Sequence, residues 1–169
     1  NLNLLWLQSG GCGGCTLSLL NAEQPHLYAH LEQAGIRLLW HPSLSTASGG
    51  EVRQLLGDCV EGRERLDILC VEGSLLTGPN GTGRFHMLSG SGRPMIEWVR
   101  QLAARARNVV AVGSCAAFGG ITATGGNPSG AVGLQYDCSQ LGGLLGQGFR
   151  SHSGLPVINV AGCPTHPGW

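Results

Sequence analysis

The chain has 169 residues and a formal net charge of zero, and only 12% of its residues are charged; all ten basic residues are arginine. That length suits one domain with a core of its own, which needs no disulfide staples. The composition excludes a basic nucleic-acid surface, and no apolar run approaches the ~20 residues of a membrane-spanning helix.

Residues 2–7, LNLLWL, read as a short buried strand, and 16–22 as a helix. Residues 26–35 carry apolar positions at helical spacing, with Gly35 as the stop. IRLLW at 36–40 is strand-like and ends at His41-Pro42. Residues 49–62 form an amphipathic helix pattern, and 66–73 a second buried strand. A long Gly-, Ser- and Thr-rich loop covers 74–92. Pro94 then opens a helix to about Arg107, with Pro in the first turn. NVVAVG at 108–113 is a strand, 119–154 is Gly-rich and poorly periodic, and LPVINVAG at 155–162 is the last strand. Continuous apolar strands alternating with helices predict a parallel sheet covered on both faces. The expected fold is α/β, a flavodoxin-like doubly wound sheet of about five strands, in one domain spanning 1–169.

Seven cysteines cannot all pair internally, and a Cys-x-x-C in a chain of this size points to metal or redox chemistry rather than a disulfide scaffold. Cys12 and Cys15 follow the first strand, Cys115 follows NVVAVG, and Cys163 follows LPVINVAG. All four therefore fall just past the carboxyl ends of strands, the edge where open parallel sheets bind ligands. Glycines crowd the same places: Gly10, Gly11, Gly13, Gly14, Gly113, Gly119, Gly120 and Gly162. They let backbone approach a compact cofactor and aim N–H groups at its sulfurs. A haem would want His after the Cys-x-x-C, and position 16 is Thr. A thioredoxin-like motif would leave Cys115 and Cys163 without a role. Four scattered thiols suit an iron–sulfur cluster; zinc, which more often takes two paired knuckles, stays open. Cys59 and Cys70 read as core residues, and Cys138 has no partner nearby. The low charge and 29 glycines suggest a surface that buries itself against a partner.

WLQSGGCGGCTLSLL, VEGSLLTG, VGSCAAFGG and NVAGCPTHPGW stand in the order and at the spacing of the small subunit of [NiFe] hydrogenases, which the whole chain resembles. The resemblance implies a proximal [4Fe–4S] cluster on Cys12, Cys15, Cys115 and Cys163, and a Ni–Fe centre in a partner large subunit. Some family members add two cysteines to make a [4Fe–3S] cluster; those positions are Gly14 and Gly120 here, which implies an ordinary four-cysteine cubane. Glu72 is implied to lie near the cluster and the subunit interface, where it would relay protons or hold the loop. His166 would hydrogen-bond a cluster sulfide, while Pro164 and Pro167 stiffen the loop. Arg84, Phe85 and His86 are expected to touch the large subunit. Trp6 and Trp40 read as core or interface fillers, and His26, His30, His41 and His152 as surface or capping residues. The related cluster subunit of respiratory complex I shares the fold but typically has adjacent cysteines in its first motif. WHPSLS, EGSLLTGPNGTGRFH and GCPTHP look most like the cytoplasmic hydrogen-sensing and related uptake-type small subunits. A cytoplasmic location and a signalling kinase or other electron acceptor are thus expected. A C-terminal multi-cluster domain, usual in the family, is expected to be absent from this chain.

Overall fold

A computed structural model describes residues 1–169. Strands β1 (Leu2–Gln8), β2 (Ile36–Trp40), β3 (Ile68–Glu72), β4 (Asn108–Val112) and β5 (Ile158–Val160) form one parallel sheet in the order β5-β4-β3-β1-β2. This is the flavodoxin-like order expected from the sequence, and it puts the topological switch point between β1 and β3. The helices are α1 (Gly14–Leu20), α2 (Leu27–Gln33), α3 (Gly49–Glu61), α4 (Met95–Arg105) and α5 (Gly113–Phe118).

Alternation along the strands divides the core in two. Leu5, Leu7, Leu69, Val71, Val109 and Ala111 face a thick core with Val52, Leu56 and Cys59 of α3 and the buried stripe Ile96, Val99, Leu102 and Ala103 of α4. The spacing of those helical residues is that of one helix face. Leu4, Trp6, Cys70 and Val112 face the other way into a small cluster, against Cys15 and Leu19. There the cover is thin: α1 buries only Thr16 and α2 buries no residue.

Several boundaries differ from the sequence reading. Pro94 is extended and stands just before α4 rather than within its first turn. That helix stops at Arg105, because the next residues are drawn to β3's approach: the Arg107 N–H donates to Leu66 O and that of Asn108 to Asp67 O. The short helix α5 has no counterpart in the expected elements; its first residue is a glycine at φ 86° at the end of an apolar strand. β5 is shorter than expected because the Val157 N–H is taken by Gln135 Oε1 instead of the ladder. The loop after β3 is partly ordered into ribbons: Leu75–Leu76 pairs with Ala131–Val132, and Met87–Leu88 with Arg93–Pro94.

Candidate functional site

Register places Gln8, Glu72 and Val112 in one row at the carboxyl edge of the sheet. Just beyond that row the loops after β1, β3, β4 and β5 enclose a cavity of about 100 Å³. Cys12, Cys15, Cys115 and Cys163 all line it, with Gly14, Gly73, Gly113, Gly162 and Glu72. Residues 150 positions apart are tied together here. Cys15 Sγ lies 3.7 Å from Thr165 Oγ1, and Ser18 Oγ donates to Thr165 O at 2.7 Å. On the opposite side Ser114 N donates to Gly162 O at 2.9 Å, and Gly162 N to Ser114 Oγ at 3.2 Å.

The glycines are there because sulfur is close. A Cβ on Gly113 would meet Cys15 Sγ at 2.5 Å, one on Gly120 would meet Cys115 Sγ at 2.6 Å, and one on Gly14 would meet Cys12 Sγ at 3.1 Å. Gly113 and Gly120 also have φ of 86° and 60°, a backbone region that L side chains resist. The Cys115 thiol is pushed up by burial, against a hydrogen bond from the Ile121 backbone; the charges of Cys163, Cys12 and Cys15 push it further up. No group of three or more His, Cys, Asp or Glu is close enough to hold a lone metal ion. Thiols spread around a cavity, with glycine backbone against them, fit a compact group of several metal atoms better than a single ion.

Glu72 forms one wall and is 4% exposed. Its Oε1 accepts from the Thr16 amide at 3.0 Å. Its Oε2 accepts from Trp6 Nε1 and Gln8 Nε2, each at 3.1 Å, and from the Thr16 hydroxyl. Burial raises its pKa, but these donors outweigh burial and hold the carboxyl below the usual carboxylate value.

His41 is where sequence reasoning misplaced a residue. It is not at the surface but 1% exposed, 5.1 Å from the Trp6 ring and 3.3 Å from Thr16 Oγ1. A histidine beside a proline at a strand end resembles a capping residue; only the register of β1 against β2 shows what it packs against. His26, His30 and His152 are exposed, and Cys59 and Cys70 buried, as expected. Trp6 is core, while Arg84 and Phe85 are exposed. His166 is exposed and outside the residues lining the cavity; its Nδ1 accepts from Gly168 N at 3.0 Å.

An open parallel sheet of this order, with a thiol-lined cavity at its switch-point edge, defines a doubly wound α/β fold. The chain belongs to the family described as NADH ubiquinone oxidoreductase, 20 Kd subunit, whose model matches residues 12–169. Within it, the relatives are hydrogenase small subunits. The Hydrogenase-2 small chain of Escherichia coli K12 is 34% identical over 97% of this chain, which spans 39% of that protein. The actinobacterial-type NiFe-hydrogenase of Ralstonia eutropha H16 superposes with a TM-score of 0.79 at 32% identity, covering 99% of this chain and 50% of the other. The Ni-Fe-Se hydrogenase of Desulfomicrobium baculatum gives 0.79 at 30% identity, covering 99% and 58%. The chain thus spans about half the length of the proteins it matches.

Proposed function

We propose that this chain is the electron-carrying small subunit of a [NiFe] hydrogenase, serving H2 ⇌ 2 H+ + 2 e− beside a large subunit that holds the Ni–Fe centre. The observation that carries this reading is the convergence of Cys12, Cys15, Cys115 and Cys163 on one cavity at the sheet's carboxyl edge. These thiolates would hold one [4Fe–4S] cluster, which when bound supplies one-electron storage and transfer. Gly14, Gly113 and Gly120 keep the sulfurs clear of side-chain bulk. The Ile121 backbone favours the Cys115 thiolate against the effect of burial, and polar backbone at a cluster's sulfurs helps set its potential.

The finer reading is a cytoplasmic hydrogen-sensing complex whose acceptor is a signalling kinase or another electron carrier. The wording of WHPSLS, EGSLLTGPNGTGRFH and GCPTHP supports it; an uptake enzyme is the alternative. The assay that tests the cluster reading is iron, acid-labile sulfide and zinc per chain on anaerobically prepared protein. About four iron and four sulfide are expected. Stoichiometric zinc without sulfide would replace this reading with a structural metal domain.

A further inference from the structure

With Glu72 as the carboxylate, the hydrogen-bond chain beside the cysteine cavity has one consistent arrangement of protons. Thr16 Oγ1 has three partners: Gln8 Nε2 at 2.9 Å, His41 Nε2 at 3.3 Å and Glu72 Oε2. A hydroxyl has one proton to give and two lone pairs. The Gln8 amide nitrogen only donates, so it takes one lone pair. On the far side of the imidazole, Ser43 N donates to His41 Nδ1 at 3.0 Å, so that nitrogen carries no proton. A neutral His41 therefore has its proton on Nε2 and fills the second lone pair. The hydroxyl proton must then go to Glu72, which already accepts from Trp6, Gln8 and the Thr16 amide.

We infer that His41, pinned in one tautomer by the Ser43 amide, is a positioning residue that keeps Glu72 Oε2 an acceptor and so holds the carboxylate charged at the cavity wall near neutral pH. A proton arriving on Glu72 Oε2 would need an acceptor, and Thr16 has no lone pair left to offer. Freeing one would require His41 to move its proton to Nδ1, against the Ser43 N–H. Glu72 is then a fixed charge beside the thiols rather than a stop on a proton path through Thr16.

The surroundings agree. Burial lowers the pKa of His41, which keeps the ring neutral, and Glu72 only partly opposes this. On β3, Cys70 is pushed up to about 12 by burial and stays uncharged. From β1, Trp6 and Gln8 face the carboxylate; across the cavity stand Cys12, Cys15, Cys115 and Cys163, and no arginine lines it.

The potentiometric test rests on the cluster reading above. It compares the cluster midpoint potential from pH 6 to 8 in the purified complex for the unaltered protein, His41→Leu and His41→Gln. The unaltered protein is expected to give a flat profile. His41→Leu frees a lone pair on Thr16, so reduction draws a proton to Glu72 and the midpoint moves with pH, by up to ~59 mV per tenfold change in proton activity. His41→Gln restores an N–H at similar reach and the flat profile. A sloping profile in the unaltered protein, or a flat one in folded, cluster-loaded His41→Leu, overturns the proposal. A second readout is independent of iron: the ring nitrogen shifts of His41 by NMR, in protein of whatever metal content. A neutral ring protonated on Nε2 throughout this range is expected. A proton on Nδ1, or a ring that becomes charged, overturns the lock without bearing on the cluster.

Discussion

Gly113→Ala separates the need for a glycine's backbone from the need for its missing side chain. At φ 86° an alanine is strained, which costs about 1–3 kcal/mol. The new methyl would also sit 2.5 Å from Cys15 Sγ. Ordinary contact is about 3.5–4.0 Å, so the thiol must retreat by roughly 1 Å, and forcing it to do so adds about 1–3 kcal/mol. Gly125→Ala is the control: its φ is 64°, and a Cβ there meets nothing within 4 Å, so it bears the strain alone. At roughly 2–4 °C per kcal/mol for a domain of this size, Gly113→Ala should melt below the control by about 2–12 °C. It should also hold less iron per chain, since Cys15 is displaced from the cavity. Equal melting points and equal iron contents in the two variants would refute the claim that Gly113 exists to make room for the Cys15 sulfur.

Cys163→Ser alters an exposed thiol and should leave the melting point of metal-free protein unchanged while iron per chain falls. Cys59→Ser, at a site 1% exposed in the thick core, should do the reverse: it buries a hydroxyl at a cost of about 1–3 kcal/mol and leaves iron unchanged. Acid should act in two stages, followed by denaturant titration across pH. His41 is depressed from 6.5 by burial, so its share of stability is present above 6.5 and is lost as pH falls below it. Glu72 is depressed from 4.5, its donors outweighing burial, so its share is present above 4.5 and is lost as pH falls through its lower folded value. His41→Leu should remove the first stage, and Glu72→Gln the second.

The edge that carries the cysteines was legible because apolar runs and glycine punctuation mark strand ends on a scale of a few residues. That was enough to bring Cys12, Cys15, Cys115 and Cys163 to one side of a parallel sheet. It was not enough to reveal what Glu72 touches. Its donors come from Trp6, Gln8 and Thr16, and only the pairing Gln8↔Glu72 brings them together. Register is a property of two strands at once, whereas periodicity belongs to one. His41 was hidden for the same reason. α5 was hidden by its brevity: six residues opening on a glycine carry too few turns for a helical pattern to show.

The unequal covering of the two sheet faces gives the two halves of the cavity different footings. Cys115 rides on α5, whose Ala116 and Ala117 are sunk in the thick core. Cys15 rides on α1 and Cys12 just precedes it, on the side where a hollow of about 390 Å³ remains between the sheet and the two short helices. Backbone with few buried contacts opens locally at low free energy, while well-packed elements open only with the whole domain. The cavity is therefore built like a vice, with one jaw cast into the frame and the other able to swing. A cofactor gripping thiols on both jaws would clamp the loose one, so that filling the site and finishing the fold of this side of the domain become a single event.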